Sequence, residues 1–318
     1  MLVSFLLMVI FFSGCTPRED VKQIDLSDTA QMEGRIENSQ RIRIGIVPEQ
    51  NIIAMAGRYE PLAHYLGEKL KTKVTLVYLS SYGEVCEKFV YKQLDAAFIG
   101  SFNYVLTHIK IGIEPIVRPD YAGVSAYHGL VLVRADSSIQ KVSDMQGKRL
   151  ALVHPATFTG SLYPLYYFKT KGILDIKNYF SKIFFTNSHE NAILALLQNE
   201  ADVAIVKDQV YFRMARKDPD IEKNLTVVAS SEPVPTNTFC VRKELDPAMK
   251  EKLRDLLCSL DKDPNAESVL KALGGASKFV ETRDEDYHLI YAIAKQLDIN
   301  LRTYPYNNEF QTEFSKDK

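Results

Sequence analysis

The sequence predicts an α/β fold with two lobes, each built on a mostly parallel sheet flanked by helices. Strand and helix patterns alternate from residue 41 onward. A helix–turn–strand pattern also occurs twice, at residues 84–99 and 191–206, and each copy follows a loop rich in polar side chains. Ligands bind beyond the carboxyl ends of the strands in open parallel sheets, so two such lobes facing each other would form a binding cleft.

The first lobe begins with a strand at residues 41–47, where apolar side chains alternate with others. Residues 59–70 form the first predicted helix, because Leu62, Leu66 and Leu70 fall on one face. The elements predicted next are a strand at 74–78, a helix at 84–92 and a strand at 94–99.

Two later strands predict the crossings between lobes, at residues 127–134 and 236–242, which together form a two-strand hinge. Asp246 and Pro247 then predict a helix start, with the aspartate as cap and the proline at the first helical position. Helices at 267–273 and 286–297 are expected to pack back on the first lobe. The predicted boundaries are 41–124 with 238–302 for lobe 1, 125–237 for lobe 2, and 303–318 for a polar tail.

The N-terminus predicts an exported protein. Residues 2–12 are nearly all apolar, which is too short for a membrane span of about 20 residues but fits the core of a secretory signal. The run ends in Ser13-Gly14-Cys15, which resembles the lipobox of bacterial lipoproteins. We therefore expect a signal peptide at 1–15, lipid on Cys15, a flexible tether at 16–40, and a location on the extracytoplasmic face of the cell envelope.

Composition excludes several classes of protein. The 318 residues carry 39 basic and 40 acidic side chains, a net charge of −1, which argues against nucleic-acid binding. Cys86, Cys240 and Cys258 show no metal-binding spacing and are interpreted as core residues, with a pairing of any two left open. Motifs for serine hydrolases, zinc proteases and nucleotide-binding loops are absent, and the six histidines are dispersed. We expect neither catalysis nor a cofactor or metal.

The segment Pro155-Ala156-Thr157-Phe158-Thr159-Gly160-Ser161 predicts an anion site. It follows an apolar strand at 150–153 and precedes an amphipathic stretch at 162–171, so three hydroxyl side chains stand where a helix begins. Unpaired backbone N–H groups and the positive end of the helix dipole can hold a small anion there without Lys or Arg. An ordinary helix cap needs only one hydroxyl, so three favour a ligand.

Two further residues have two interpretations each. His189 follows Ser188 at a helix start, where it either completes a capping turn or donates to an anion, which would raise its pKa. Asp208 follows the strand at 203–206, where it either caps the next helix or accepts a proton from a protonated oxyanion.

Six segments, in order along the chain, resemble signatures of the phosphonate, phosphite and phosphate-binding proteins of ABC transporters. They are residues 59–66 (YEPLAHYL), 80–83 (SSYG), 99–104 (IGSFNY), 125–128 (SAYH), 187–190 (NSHE) and 233–237 (PVPTN). The resemblance covers about residues 41–297. It implies a type II periplasmic-binding-protein fold that closes on its ligand by a hinge motion.

The resemblance also implies the ligand-binding residues. The family holds a tetrahedral oxyanion with a Ser-Thr-Ser-Gly loop, which matches Thr157-Phe158-Thr159-Gly160 here, so a phenylalanine replaces the middle hydroxyl. Ser161 stands where the family often has an aromatic residue. The other implied contacts are Ser101 and Asn237 in the matching segments, tyrosines at Tyr82 and Tyr127, and the histidine His189.

A second departure concerns the ligand. Family members that bind aminoalkyl phosphonates place carboxylates at positions matching Gln209 and Asn237, and neither is acidic here, although Asp208 is adjacent. We therefore expect a smaller oxyanion, namely phosphite, phosphate or a simple phosphonate, with Phe158 against any apolar substituent. The resemblance implies a monomeric solute-binding protein with an ABC permease as partner. The alternatives are a sensory module that signals to a membrane kinase or cyclase, and an enzyme built on the same fold.

Overall fold

The computed structural model of the protein describes residues 41–305. The predicted signal peptide with Cys15, the tether and residues 306–318 of the tail lie outside the described residues. None of the helices within 41–305 is both long and apolar enough to span a bilayer.

Each predicted strand is present, but five of the thirteen strands within residues 41–305 were not predicted, namely Glu114–Asp120, Lys182–Phe185, Leu225–Ser230, Val234–Pro235 and Lys278–Glu281. In chain order the strands are β1 (Arg41–Ile46), β2 (Lys73–Tyr78), β3 (Ala96–Ile99), β4 (Glu114–Asp120), β5 (Ala126–Tyr127), β6 (Gly129–Arg134), β7 (Arg149–Leu152), β8 (Lys182–Phe185), β9 (Val203–Lys207), β10 (Leu225–Ser230), β11 (Val234–Pro235), β12 (Thr238–Val241) and β13 (Lys278–Glu281).

The helices connect these strands and cover both sheets. They are α1 (Ile52–Leu70), α2 (Glu84–Val90), α3 (Ser101–Ile111), α4 (Tyr163–Thr170), α5 (Ile176–Tyr179), α6 (His189–Leu197), α7 (Asp208–Lys217), α8 (Asp220–Asn224), α9 (Pro247–Cys258), α10 (Glu267–Ala272) and α11 (His288–Gln296). A π-helical turn, Phe158–Leu162, precedes α4, and 3-10 turns lie at Val142–Met145, Leu260–Lys262, Pro264–Ala266 and Asp284–Tyr287.

The fold has two lobes, each with its own sheet. The first sheet has the order β13-β4-β12-β3-β1-β2 and the second has the order β10-β6-β9-β7-β8. A separate two-stranded ribbon pairs β5 with β11. The chain passes through β5 when it leaves the first sheet for the second, and through β11 when it returns. The predicted crossing strands, 127–134 and 236–242, lie mainly on β6 and β12, which belong to different sheets, so the hinge ribbon is formed by the residues just before them. The lobe boundaries given above remain a prediction.

Both sheets are mixed, which differs from the mostly parallel sheets that we expected. Strand β1 pairs in parallel with β2 and β3, whereas β12 is antiparallel to β3 and β4. In the second sheet, β7 is parallel to β8 and β9, whereas β6 is antiparallel to β9 and β10. The reason is that β6 and β12 leave the hinge ribbon and run away from the cleft, while β1, β3, β7 and β9 run toward it.

The first helix begins seven residues earlier than predicted. The side chain of Asn51 accepts a hydrogen bond from the N–H of Ala54 (3.0 Å) and caps α1. The helix also continues through Pro61. Ile52 and Ile53 are exposed, so the first turns lack the apolar stripe that marks the rest of the helix.

A buried carboxylate joins distant segments of the first sheet. Asp95 accepts hydrogen bonds from the backbone N–H (2.9 Å) and guanidinium of Arg43, and from Nε of Arg242 (3.1 Å). Arg43 lies on β1, and Arg242 directly follows β12.

The three cysteines in the described part of the chain, Cys86, Cys240 and Cys258, are free, so the pairing that the sequence left open is not formed.

Candidate functional site

The loop after β7 uses two of its three hydroxyl groups internally. Thr157 Oγ1 accepts a hydrogen bond from the N–H of Gly160 (2.9 Å) and donates to the carbonyl of His154 (2.8 Å), so Thr157 is the cap of the π-helical turn. Ser161 Oγ donates to the carbonyl of Pro155 (2.7 Å). Thr159 Oγ1 is buried and has no partner within residues 41–305. Of the three hydroxyls predicted to bind a ligand, Thr159 is therefore the one left available.

The tight shape of this loop depends on Gly160. A Cβ atom at this position would stand 2.1 Å from the carbonyl oxygen and 2.4 Å from the backbone nitrogen of His154. Both are backbone atoms that cannot move aside without opening the turn. The loop therefore requires glycine for steric reasons.

Phe158 lies in an aromatic cluster. Its ring is 2% exposed and stacks on Tyr163, with 5.6 Å between centroids. The edge of the same cluster reaches Tyr127, whose ring is 6.2 Å from Phe158 and nearly perpendicular to it. The phenylalanine that replaces a hydroxyl residue thus packs among aromatic rings, and its contact with a ligand stays a prediction.

Tyr82 supplies a second available hydroxyl, from the loop between β2 and α2. Its ring is buried between His154 and His189, at centroid distances of 5.7 and 6.4 Å. The side chain of Asn103 fixes the segment by donating to the carbonyl of Tyr82 (2.7 Å). The hydroxyl of Tyr82 is buried without a partner in the described part of the chain. Burial raises the pKa of Tyr82 well above its usual value, so the hydroxyl keeps its proton and can donate it.

Both buried histidines are held in one tautomer. Nδ1 of His154 accepts from the N–H of Ala156 (3.0 Å), and its Nε2 lies 3.0 Å from Ser81 Oγ. Nδ1 of His189 accepts from the N–H of Lys207 (3.1 Å). Each neutral ring therefore carries its proton on Nε2. Burial lowers the pKa of His154 to about 4 and that of His189 to about 3. The rise in the pKa of His189 expected beside a bound anion stays a prediction.

A buried ionic cluster centred on Glu49 was missed by the sequence analysis. Glu49 Oε1 lies 3.0 Å from Nζ of Lys207, and its Oε2 lies 2.8 Å from Nη1 of Arg58 and 3.6 Å from Nη2 of Arg213. Lys207 ends β9, and Glu49 follows β1 after two residues. Ligand sites lie beyond the carboxyl ends of strands, so this position was the signal available in the sequence.

The cluster carries excess positive charge. Burial alone would raise the pKa of Glu49, but Lys207, Arg58 and Arg213 hold it well below its usual value, so the carboxylate is ionised. Burial lowers the pKa of Lys207, although the negative charge of Glu49 acts to raise it. Burial and the positive charge of Arg58 lower the pKa of Arg213 to about 10. Three cationic side chains thus surround one carboxylate.

The remaining predicted residues make contacts within the protein. Ser101 Oγ donates to the carbonyl of Pro235 (2.6 Å), which joins α3 to the hinge ribbon. Asp208 is the first residue of α7, and its carboxylate accepts from the N–H of Gln209 (2.6 Å). Burial raises the pKa of Asp208 above its usual value. Asn237 lies inside the cluster, where Oδ1 accepts from Lys207 Nζ (2.9 Å) and Nδ2 donates to Glu49 Oε1 (3.0 Å).

Side-chain and backbone contacts together form one continuous series that leads from the loop after β7 back to itself. The order is Phe158, Tyr127, Lys207, His189, Tyr82, His154 and Thr157. The structure therefore brings together both lobes and most of the predicted residues. Within residues 41–305 no group of three or more His, Cys, Asp or Glu side chains is arranged to hold a metal ion.

Comparison with known proteins identifies similar sequences and folds. The family model described as "ABC transporter, phosphonate, periplasmic substrate-binding protein" matches residues 44–287. The phosphate-import protein PhnD of Mycolicibacterium smegmatis is 26% identical over 240 residues, which cover 72% of this chain and 74% of that protein.

Two solved structures share the fold. A binding protein component of an ABC phosphonate transporter from Pseudomonas aeruginosa has a TM-score of 0.77 at 22% identity, covering 82% of this chain and 87% of that chain. PhnD1 from Prochlorococcus marinus, in complex with methylphosphonate, has a TM-score of 0.74 at 18% identity, covering 82% and 99%.

Proposed function

The chain belongs to the family of periplasmic substrate-binding proteins of phosphonate ABC transporters, and we propose that it captures a small phosphorus oxyanion between its lobes and delivers it to an ABC permease. The ligand is a simple phosphonate, phosphite or phosphate. The protein binds this ligand without transforming it.

The observation that carries the proposal is the pair of unpaired hydroxyls on Tyr82 and Thr159. Both oxygens are buried without a hydrogen-bond partner among residues 41–305. A buried polar group without a partner costs about 1–3 kcal/mol, so native proteins rarely keep such groups without a use. The oxygens of a tetrahedral oxyanion accept hydrogen bonds from both, and such charge-assisted bonds are strong.

The electrostatics of the site support an anion. Among the ion pairs within residues 41–305, three cations, Arg58, Lys207 and Arg213, share the single carboxylate of Glu49. Uncompensated positive charge in a buried site attracts a negatively charged ligand far more strongly than it would in water. The proton on Nε2 of His189 supplies another neutral donor.

Hydrogen bonds between the two proposed lobes support a state in which the lobes close around the ligand. The N–H of Asn51 donates to Glu190 Oε2 (2.7 Å), and Nε of Arg213 donates to Gln50 Oε1 (2.8 Å). We propose that lobe 1 comprises residues 41–124 and 238–302 and lobe 2 residues 125–237, with bending at the β5–β11 ribbon. Ligand binding shifts the open–closed equilibrium because its contacts are complete only in the closed state.

The proposed setting is the outer face of the cell membrane. The family works with ABC permeases outside the cytoplasm, and the Ser13-Gly14-Cys15 sequence supports lipid attachment at Cys15 of a monomeric protein. Mass spectrometry of the membrane fraction tests the attachment: a diacylglyceryl group on Cys15 supports it, and an unmodified mature chain contradicts it.

Thermal shift and titration calorimetry test the ligand class. The purified protein is mixed with methylphosphonate, phosphite, phosphate and, as a control oxyanion, sulfate. A ligand at a hundredfold excess over its Kd stabilises the fold by about 2.7 kcal/mol. We expect at least one phosphorus oxyanion to do so and sulfate to do less. The proposal fails when none of the three phosphorus compounds binds.

A further inference from the structure

Lys207 has an unusual position for a lysine. It is 2% exposed, and its ammonium group lies inside the protein rather than in solvent. Lysine is almost never fully buried without specific partners, because removing its charge from water is costly. The partners of Nζ therefore define a site that is built to hold an ammonium group.

Three groups surround Nζ of Lys207. Glu49 Oε1 lies 3.0 Å away, Asn237 Oδ1 lies 2.9 Å away, and the centroid of the Tyr127 ring lies 4.6 Å away. A carboxylate, an amide oxygen and an aromatic face are the groups that recognise a primary ammonium ion. Asn237 also donates to Glu49 Oε1 (3.0 Å), which orients both acceptors toward the same point.

This ammonium site is next to the predicted oxyanion site. The ring of Tyr127 contacts Lys207 on its face and approaches Phe158 of the anion loop at 6.2 Å. The backbone N–H of Lys207 donates to His189, which in turn contacts Tyr82. One aromatic ring, that of Tyr127, therefore contacts both the ammonium site and the anion loop.

We propose that the side chain of Lys207 fills an ammonium-binding subsite of the cleft and thereby restricts the protein to phosphorus oxyanions that carry no amine. The inference rests on the proposed function for its ligand class. In this proposal Lys207 excludes aminoalkyl phosphonates from the cleft. When the lysine is shortened, the carboxylate of Glu49 becomes free to accept a hydrogen bond from the amine of such a ligand.

Chemical rescue tests the subsite without any oxyanion. Lys207→Ala removes three methylene groups and the ammonium, and propylammonium replaces those atoms. We expect propylammonium at tenfold excess over its Kd to raise the melting temperature of Lys207→Ala by about 3 °C or more. Neutral 1-propanol should not raise the melting temperature of Lys207→Ala. Propylammonium should have no such effect on the wild type, on the surface control Lys217→Ala or on the Lys207→Ala/Glu49→Gln double variant. Equal shifts with 1-propanol, or an unchanged shift in the double variant, would overturn the ammonium subsite.

Calorimetry tests the selectivity. The wild type should bind methylphosphonate at least tenfold more tightly than 2-aminoethylphosphonate, and this arm needs no variant. In Lys207→Ala the ratio of the two Kd values should shift at least tenfold toward the amine, and the Glu49→Gln change should reverse the shift. Equal binding of both ligands by the wild type refutes the proposal. An unchanged ratio in a folded Lys207→Ala protein also refutes it.

The two experiments separate the two hypotheses. Failure of the wild type to bind any phosphorus oxyanion contradicts the proposed function and leaves the rescue by propylammonium as an independent test of the subsite. Binding of methylphosphonate together with failed rescue contradicts the role of Lys207 alone.

Discussion

Replacing Tyr82 by phenylalanine should change affinity and stability in opposite directions. The hydroxyl of Tyr82 is buried without a partner among the described residues, so its removal relieves an unsatisfied polar group. Relief of that cost, about 1–3 kcal/mol at most, should leave the free energy of unfolding of the ligand-free protein unchanged or higher. A hydrogen bond from this hydroxyl to a charged ligand is worth about 1.5–3 kcal/mol, so Kd should rise by about 10- to 150-fold.

Calorimetry with methylphosphonate and urea denaturation without ligand measure the two effects. Tyr65→Phe is the matched control, because the hydroxyl of Tyr65 donates to Asp263 (3.0 Å) far from the site. This control should lose about 1 kcal/mol of stability and keep its affinity. The reasoning is refuted when Tyr82→Phe binds within twofold of the wild type, or when its unfolding free energy falls as it does for Tyr65→Phe.

Three other predictions concern the loop, the histidines and the first sheet. Gly160→Ala should weaken ligand binding and cost about 1–3 kcal/mol of stability, because its Cβ would stand 2.1 Å from a backbone oxygen. Stability should fall as the pH drops from about 6.5 toward about 4. In this range His154 and His189 bind protons in the unfolded chain but stay neutral in the folded protein, where burial lowers their pKa values. Asp95→Asn should cost about 2–3 kcal/mol at neutral pH. Burial alone would raise the pKa of Asp95, but the two arginines lower it below its usual value, so the ionised carboxylate stabilises the fold. This stabilisation is lost as the pH falls through the pKa of Asp95 in the folded state.

Denaturation curves and calorimetry check these outcomes. Gly57 has open space around its Cα in α1, so Gly57→Ala should stabilise by about 0.5–1 kcal/mol and serves as control for Gly160→Ala. His154→Gln should reduce the slope of stability against pH, and an unchanged slope contradicts the assignment. Asp95→Asn with wild-type stability at pH 7 would show that the arginines contribute nothing there.

The strands and helices that carry a clear pattern of their own could be predicted from the sequence, whereas strands such as β8 and β10 were not. Strand β1 alternates, and α9 has Asp246 at its cap, where the side chain accepts from the N–H of Met249. The direction of β6 and β12 within the sheets could not be predicted in the same way. Direction depends on how the hinge delivers the chain to each sheet, and no local pattern encodes it.

The candidate site could be predicted only in part. The loop at Thr157 carries a local signal, since hydroxyls before a helix are visible in the sequence. Whether each hydroxyl is available depends on atoms that fold around it, and the carbonyls of His154 and Pro155 use two of the three. The pairing of Glu49 with Lys207 joins residues 158 positions apart, and a single sequence contains no trace of such a contact.

The position of β12 determines when the interior of the first sheet can be filled during synthesis. Strand β12 lies in the interior of that sheet, between β4 and β3, although it is the twelfth strand along the chain. The second sheet is made from one uninterrupted stretch, β6 to β10, and all its strands emerge from the ribosome before β12 does. A nascent chain that ends before Thr238 therefore has an open slot between β3 and β4, with unpaired strand edges on both sides. Such edges favour aggregation, so the first sheet depends on protection at least until β12 has been made.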